Sequence, residues 1–151
     1  NCKEVKVFEA KLALESGADE LDMVINIGAL KDGHTDLVYE EIKGVVETAA
    51  AYPGAIVKVI IETSLLEKEE KIQVCQLAVK AGAHFVKTST GFAGGGAVLE
   101  DIELMAAAVL GRAKIKASGG IRTRVQAEAF LKAGAHRLGT SSGIAIIQGQ
   151  L

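Results

Sequence analysis

The chain has no tryptophan, and aromatic residues make up only 4% of it. It therefore lacks the row of flat rings on which a single-stranded nucleic acid stacks. Neither charge sign dominates: 17 Lys and Arg stand against 19 Asp and Glu, a formal net charge of -2, with a pI near 6.0. That leaves no basic footprint for nucleic acid and none for an anionic membrane surface. No apolar run approaches the length of a membrane span. The two cysteines, Cys2 and Cys75, form no metal or redox motif, which sets the expectation of a reducing cytoplasm. His34, His84 and His136 are not at metal-ligand spacing, so no metal is expected. The first four residues, Asn1-Cys2-Lys3-Glu4, are charged and lead straight into a helical pattern, so no signal peptide is expected. The first residue is not Met, which points to a processed, trimmed or partial chain.

What the chain does have is core material. Hydrophobic residues make up 49% of 151 positions, and the mean hydropathy is +0.28. That is enough for a single domain, over 1–151, with a sizeable interior. Val5, Phe8 and Leu12 recur at helical spacing, predicting a helix over 3–16 that Gly17 ends. A strand follows over 20–27, with Asp22, Val24 and Asn26 on one face, then a loop from Gly28 to Gly33. Further helices are expected over 36–51, 66–81, 98–110 and 123–133, with a short one ending near 147. Strands are expected over 55–63, 84–89, 113–117 and 136–140. Five strands alternating with helices imply a parallel sheet with helices outside it. A weak repeat supports equal units: Ser16-Gly17-Ala18-Asp19, Lys80-Ala81-Gly82-Ala83-His84 and Lys132-Ala133-Gly134-Ala135-His136 each close a helix and start a strand.

The strands also share a polarity. Their starts meet plain Gly-Ala turns, whereas their ends carry Asn26, Glu62-Thr63-Ser64, Thr88-Ser89-Thr90, Ser118-Gly119-Gly120 and Thr140-Ser141-Ser142. Parallel α/β folds place their chemistry at the C-terminal ends of strands. Either an open sheet or part of an eight-unit barrel accommodates this order. A helix in first place, with no fingerprint loop after the first strand, argues against a standard nucleotide-binding fold.

Four charged residues lie inside otherwise apolar strands: Asp22, Lys58, Lys87 and Lys116. Any one of them reads equally well as a strand-end accident. Four on four consecutive strands converge on one cavity if the strands neighbour each other in a curved sheet. Burial disfavours a charged lysine, and two adjacent lysines repel, so one of them is pushed toward the neutral amine. A neutral amine attacks a carbonyl to form a carbinolamine and then a Schiff base. Asp22 would shuttle protons. Lys58 reads either as part of this chemistry or as a structural ion pair with Asp22 or Glu62. Gly119-Gly120 and Gly139-Thr140-Ser141-Ser142-Gly143 follow the last two strands. Each alone is an ordinary tight turn; together they favour a phosphate site, since barrels bind phosphate with their last two loops. Arg122 adds charge there or is simply solvated, and Gly94-Gly95-Gly96 reads as a mobile loop near the mouth.

Taken together, Asp19-Glu20-Leu21-Asp22-Met23-Val24-Ile25-Asn26, Lys58-Val59-Ile60-Ile61-Glu62-Thr63, Phe85-Val86-Lys87-Thr88-Ser89-Thr90-Gly91-Phe92, Lys116-Ala117-Ser118-Gly119-Gly120-Ile121-Arg122 and Arg137-Leu138-Gly139-Thr140-Ser141-Ser142-Gly143 closely resemble the deoxyribose-phosphate aldolase family. The match runs in family order over essentially the whole chain. The resemblance implies a class I aldolase on a TIM barrel, an α/β fold of eight βα units. It would cleave 2-deoxy-D-ribose 5-phosphate to glyceraldehyde 3-phosphate and acetaldehyde, reversibly and without a cofactor. It implies Lys87 as the Schiff-base lysine, Lys116 as the second lysine that tunes it, and Asp22 as the proton relay. It places Lys58 in the pocket lining, and Gly91, Gly119, Gly120, Ser141 and Ser142 at phosphate-contacting positions; Thr88 is expected to bind substrate with them. The five strands read as family strands 4 to 8, a partial barrel without the first three βα units, an early pocket cysteine or the tyrosine tail of some members. Expected partners are a small phosphorylated sugar and an aldehyde, with no nucleic acid or membrane. Closure of the sheet is expected from a homo-oligomer or a missing segment. The competing readings are a non-catalytic phosphate-binding or self-assembling barrel fragment, and a Schiff-base barrel enzyme for another phosphorylated sugar.

Overall fold

The computed structural model describes residues 1–149. In chain order the elements are α1 (Lys3–Glu15), β1 (Glu20–Val24), α2 (Ile27–Lys31), α3 (Thr35–Ala50), β2 (Ile56–Ile60), α4 (Lys68–Lys80), β3 (Phe85–Lys87), α5 (Leu99–Val109), β4 (Lys114–Ser118), α6 (Arg124–Lys132), β5 (Arg137–Gly139) and α7 (Gly143–Ile147). The five strands form one sheet in the order β1-β2-β3-β4-β5, and every neighbouring pair is parallel. This is the expected α/β architecture: a five-strand part of a (β/α)8 barrel with its helices outside. Among the described residues no helix is long and apolar enough to cross a membrane.

The register sorts the side chains by face. Met23, Val59, Val86 and Ile115 stand side by side across four strands, as do Leu21 with Val57 and Ala117 with Leu138. These residues pack against the helices in one core with Val38, Ile42, Val74, Ile102 and Met105. Successive residues point to opposite faces, so the other face carries Asp22, Lys58, Phe85 and Lys114 in one row, and Ile60, Lys87, Lys116 and Arg137 in the next. The helix face is therefore an apolar jigsaw, and the inner face is mostly ionic, with Phe85 and Ile60 among the charges.

The inner face is also curled. Arg137 on β5 donates to Glu20 on β1 at 2.5 Å, although these strands lie at opposite edges of the sheet. Following the hydrogen-bonded register from Arg137 through Lys116, Lys87 and Ile60 leads to Val24, not to Glu20. The contact is thus displaced along β1, which is the stagger that strand tilt imposes on a barrel.

Several sequence expectations differ in detail. The stretch expected as a loop from Gly28 to Gly33 contains α2, because the Asn26 side chain accepts from Ala29 N at 3.1 Å and caps it. Asn26 is therefore a cap, not a strand residue. The β2 ladder stops at Ile60, short of 63, because Glu62 turns left-handed at φ 55 and starts a 3-10 turn, Thr63–Leu65. Helices α4 and α6 begin with capping boxes, Glu67 with Glu70 and Thr123 with Gln126. His84 and His136 do sit at strand starts, and each Nδ1 accepts a backbone N–H of the preceding strand, Val57 at 3.1 Å and Ile115 at 3.3 Å.

Ile115 is fully buried between the sheet and its helices. Ile115→Ala is expected to lower unfolding free energy by about 3 kcal/mol, the transfer loss plus the cavity. Urea denaturation followed by circular dichroism measures it; a loss below about 1 kcal/mol would mean that this face repacks freely.

Candidate active site

Three of the four charged strand residues meet through one carboxylate. Asp22 Oδ2 accepts from Lys87 Nζ at 2.6 Å, and Asp22 Oδ1 faces Lys58 Nζ at 3.0 Å. Lys58 also reaches Glu20 Oε2 at 2.8 Å, the oxygen that Arg137 holds. Of the two partners expected for Lys58, Asp22 is the observed one; Glu62 turns away and accepts from the backbone N–H and the hydroxyl of Thr90. Lys116 stands directly beside Lys87 in the register of β3 and β4. Gly139 on β5 makes room for it, since a Cβ there would lie 3.3 Å from Lys116 Cε.

The electrostatics follow from this packing. Burial works to raise the Asp22 pKa, but hydrogen bonds from Lys87 and Lys58 and their charges outweigh it, so the carboxyl lies below its usual value. Lys116 is lowered, first by burial and then by the neighbouring charge of Lys87. Glu20 is lowered from 4.5 to about 2, chiefly by the hydrogen bond from Arg137 and then that from Lys58.

Lys87 and Lys116 also line a cavity of about 410 Å³ whose other walls are the ends of β4 and β5 and the loops after β3, β4 and β5: Thr90, Gly91, Ser118, Gly119, Gly120, Ile121, Arg122, Gly139, Thr140 and Ser141. The structure thus gathers Lys87, Lys116, Gly91, Gly119, Gly120 and Ser141 into one space, with Asp22 and Lys58 joined to it through Lys87. Arg122 is in the lining, on the side of the glycine turn. Ser142 lies just beyond, as the residue before α7, its N–H donated to Thr140 Oγ1 at 2.9 Å. Thr88 is placed elsewhere. It is fully buried, and its hydroxyl both donates to Ser118 O and accepts from Ser118 N at 3.1 Å, locking β3 to β4. Thr90, two residues on, occupies the cavity wall instead. The Gly94-Gly95-Gly96 run, expected as a mobile loop near the mouth, has its second half seated on its neighbours: a side chain on Gly95 would strike Ser64, and one on Gly96 would strike Gly119.

Sequence reasoning missed Glu20, Arg137 and Thr90 as members of the site. The signal for Glu20 was its two-residue spacing from Asp22, which puts both on one strand face. Among the described residues no group of three or more His, Cys, Asp and Glu side chains is placed to hold a metal ion.

Fold and site together define a barrel-type α/β protein whose inner face gathers ionisable lysines next to glycine-rich strand-end loops. A family profile described as DeoC/LacD family aldolase matches residues 1–149. The chain belongs to that family. It is 62% identical over 146 residues to the deoxyribose-phosphate aldolase of Thermococcus gammatolerans, covering 97% of this chain and 64% of the relative. With the deoxyribose-phosphate aldolase of a Geobacillus species the identity is 57% over 150 residues, covering 99% of this chain and 66% of the relative. Among solved structures, a tetrameric deoxyribose phosphate aldolase from Aeropyrum pernix superposes with a TM-score of 0.88 at 36% identity, covering 98% of this chain and 62% of that one. The chain thus spans just under two thirds of the length of these relatives.

The Glu20 pair makes a pH prediction. A carboxyl whose folded pKa lies below its unfolded value stabilises the fold above the unfolded pKa and loses that contribution as pH falls through the folded one. Wild-type chain should therefore melt above Glu20→Gln at pH 6. The gap should narrow from pH 4.5 downward and close near pH 2. Thermal melts across that range test it; a gap independent of pH would remove the Arg137–Glu20 charge pair as the cause.

Proposed function

We propose that this chain carries the reaction centre of a class I aldolase acting on 2-deoxy-D-ribose 5-phosphate. The observation that carries the reading is the Lys87–Asp22 hydrogen bond of 2.6 Å beside Lys116, in the same cavity as the Gly119-Gly120 turn. The names of the relatives support the substrate, and the cavity's chemistry supports the reaction type.

The steps follow from the groups present. Lys87 gives up a proton to neutral Lys116 and its amine adds to the C1 carbonyl of the open-chain sugar, forming a carbinolamine. Loss of water, its leaving hydroxyl protonated within the Asp22–Lys116 group, leaves an iminium on Lys87. The C3 hydroxyl then gives its proton to Lys116, left neutral by the loss of water, the C2–C3 bond breaks, and its electron pair moves into the iminium to give an enamine. Glyceraldehyde 3-phosphate departs. Protonation at C2 and addition of water release acetaldehyde and restore the amine. Lys116, with its lowered pKa, is neutral more readily than an ordinary lysine and so serves as a proton acceptor as well as a donor. Lys58 holds Asp22 in place and keeps it ionised. At the far end Gly91, Gly119, Gly120, Ser141 and Ser142 receive the 5-phosphate with backbone and hydroxyl donors, and Arg122 adds charge. No cofactor enters any step. Free Cys2 and Cys75 fit a reducing compartment such as the cytoplasm. The edge of β1 away from β2 pairs with no strand among the described residues, and a homo-oligomer or a further segment would cover it.

Borohydride trapping tests the reading directly. Incubation with acetaldehyde followed by reduction should leave an ethyl adduct on Lys87, found by peptide mass spectrometry and lost in Lys87→Leu. A folded sample with no adduct overturns the proposal for this chain and favours a non-catalytic fragment. Lys116→Leu should slow trapping at pH 7 by about tenfold or more and move its pH dependence upward. An unchanged pH profile would refute the tuning role.

A further inference from the structure

Loops that follow three adjacent strands touch beside the cavity through glycines that line none of it. Gly95 lies against the loop after β2: a Cβ there would sit 2.3 Å from Ser64 Cβ and 2.6 Å from its Oγ. Gly96 lies against the turn after β4: a Cβ there would sit 2.5 Å from Gly119 O, 2.7 Å from Gly119 C and 3.2 Å from Gly120 N. Neither Gly95 nor Gly96 has a positive φ, so neither needs to be glycine for its backbone conformation. Their missing side chains serve close approach. At Gly96 the neighbour is backbone, which cannot swing aside as a side-chain tip can. Ala97 N, the next donor along, reaches both Ser118 O at 3.1 Å and Gly119 O at 3.0 Å. The loop after β3 is therefore laid backbone to backbone on the Gly119-Gly120 turn, whose two residues have φ of 88 and 77.

We propose that Gly96 is a positioning residue for substrate specificity. Its contact with Gly119 sets where the Gly119-Gly120 turn stands, and so decides how strongly the site prefers a phosphorylated substrate over the same sugar without phosphate. Gly96 is absent from the cavity lining, so it acts through Gly119 and not on the ligand. The inference rests on the phosphate role of that turn proposed above. Anion hydrogen bonds keep their strength only within a few tenths of an ångström of ideal length. A methyl group inserted at 2.5 Å from Gly119 O forces a shift larger than that. Lys87 is anchored separately, through Asp22 and the β-sheet register, so the carbonyl end of the site is spared.

The test compares wild-type chain with Gly96→Ala by borohydride trapping at Lys87, using 2-deoxyribose 5-phosphate, 2-deoxyribose and acetaldehyde as separate probes. Wild type should reach half-labelling at a concentration at least about tenfold lower with the phosphorylated sugar than with the plain one. In Gly96→Ala this ratio should fall by about tenfold, while half-labelling with acetaldehyde stays within about twofold. A retained ratio overturns the inference. So does parallel loss of acetaldehyde labelling, which would mean a general disturbance. A wild-type chain with no preference sinks the phosphate reading, and this inference with it. A measurement on wild type alone covers the case of a variant that does not fold: titration with inorganic phosphate, followed by amide NMR. Gly96 and Ala97 should shift with the same midpoint as Gly119 and Gly120. If Gly119 and Gly120 respond while Gly96 and Ala97 stay silent, Gly96 does not position the turn.

Discussion

Asp22 is shared by two lysines from neighbouring strands, and the rest of the inner face depends on that sharing. Lys58 and Lys87 have side chains only 5% and 11% exposed. A buried ammonium costs several kcal/mol unless an opposite charge meets it. The two oxygens of Asp22 take one lysine each, and Glu20 takes Lys58 a second time together with Arg137. Two carboxylates thus serve Lys58, Lys87 and Arg137. Among the described residues Lys116 has no carboxylate in contact, and it is the lysine that burial and a like charge hold below its ordinary pKa. Its side of the cavity opens on the glycine turns and Arg122.

This arrangement needs a curled and staggered sheet. On a flat sheet β1 and β5 would be separated by three intervening strands, each about 4.8 Å from the next. The Arg137–Glu20 pair joins them across the inside of the curve. The two faces then divide their tasks. The helix side is filled by Val, Ile, Leu and Met and supplies the burial that holds the elements together. The inner side carries ions, hydroxyls and glycines beside Ile60 and Phe85, and its geometry is set by register. Gly139 beside Lys116 and Gly96 against Gly119 are places where the absence of a side chain allows the functional groups to stand where they do.

Much of this was legible from residues alone. The alternation of helix and strand, the polarity of the strands and the parallel order all follow from local pattern. Lys87 and Lys116 were visible as charges within apolar runs, and the glycine turns as strand-end loops. The misses share a cause. Asn26 continues an apolar alternation yet caps a helix, because its side chain bonds three residues ahead. Thr88 sits between Lys87 and the glycine loop in sequence, but strand alternation turns it away from Lys87, and its hydroxyl is spent on Ser118. Glu62 looked like a partner for Lys58; a left-handed turn aims it at Thr90.

The sequence by itself determined the α/β class, the end of the sheet that carries the polar and glycine-rich loops, the lysine pair and membership of the aldolase family, because each is written in local periodicity, residue type and motif order. Only the tertiary structure decided which carboxylate meets which cation, which threonine faces the cavity and which glycines are spacers. Those outcomes join residues far apart in the chain, such as Lys87 with Asp22 at a separation of 65 and Arg137 with Glu20 at 117. Whether such residues meet depends on how far the sheet curls and how its strands are staggered. The packing of the whole domain sets both quantities, and no short stretch of sequence carries them.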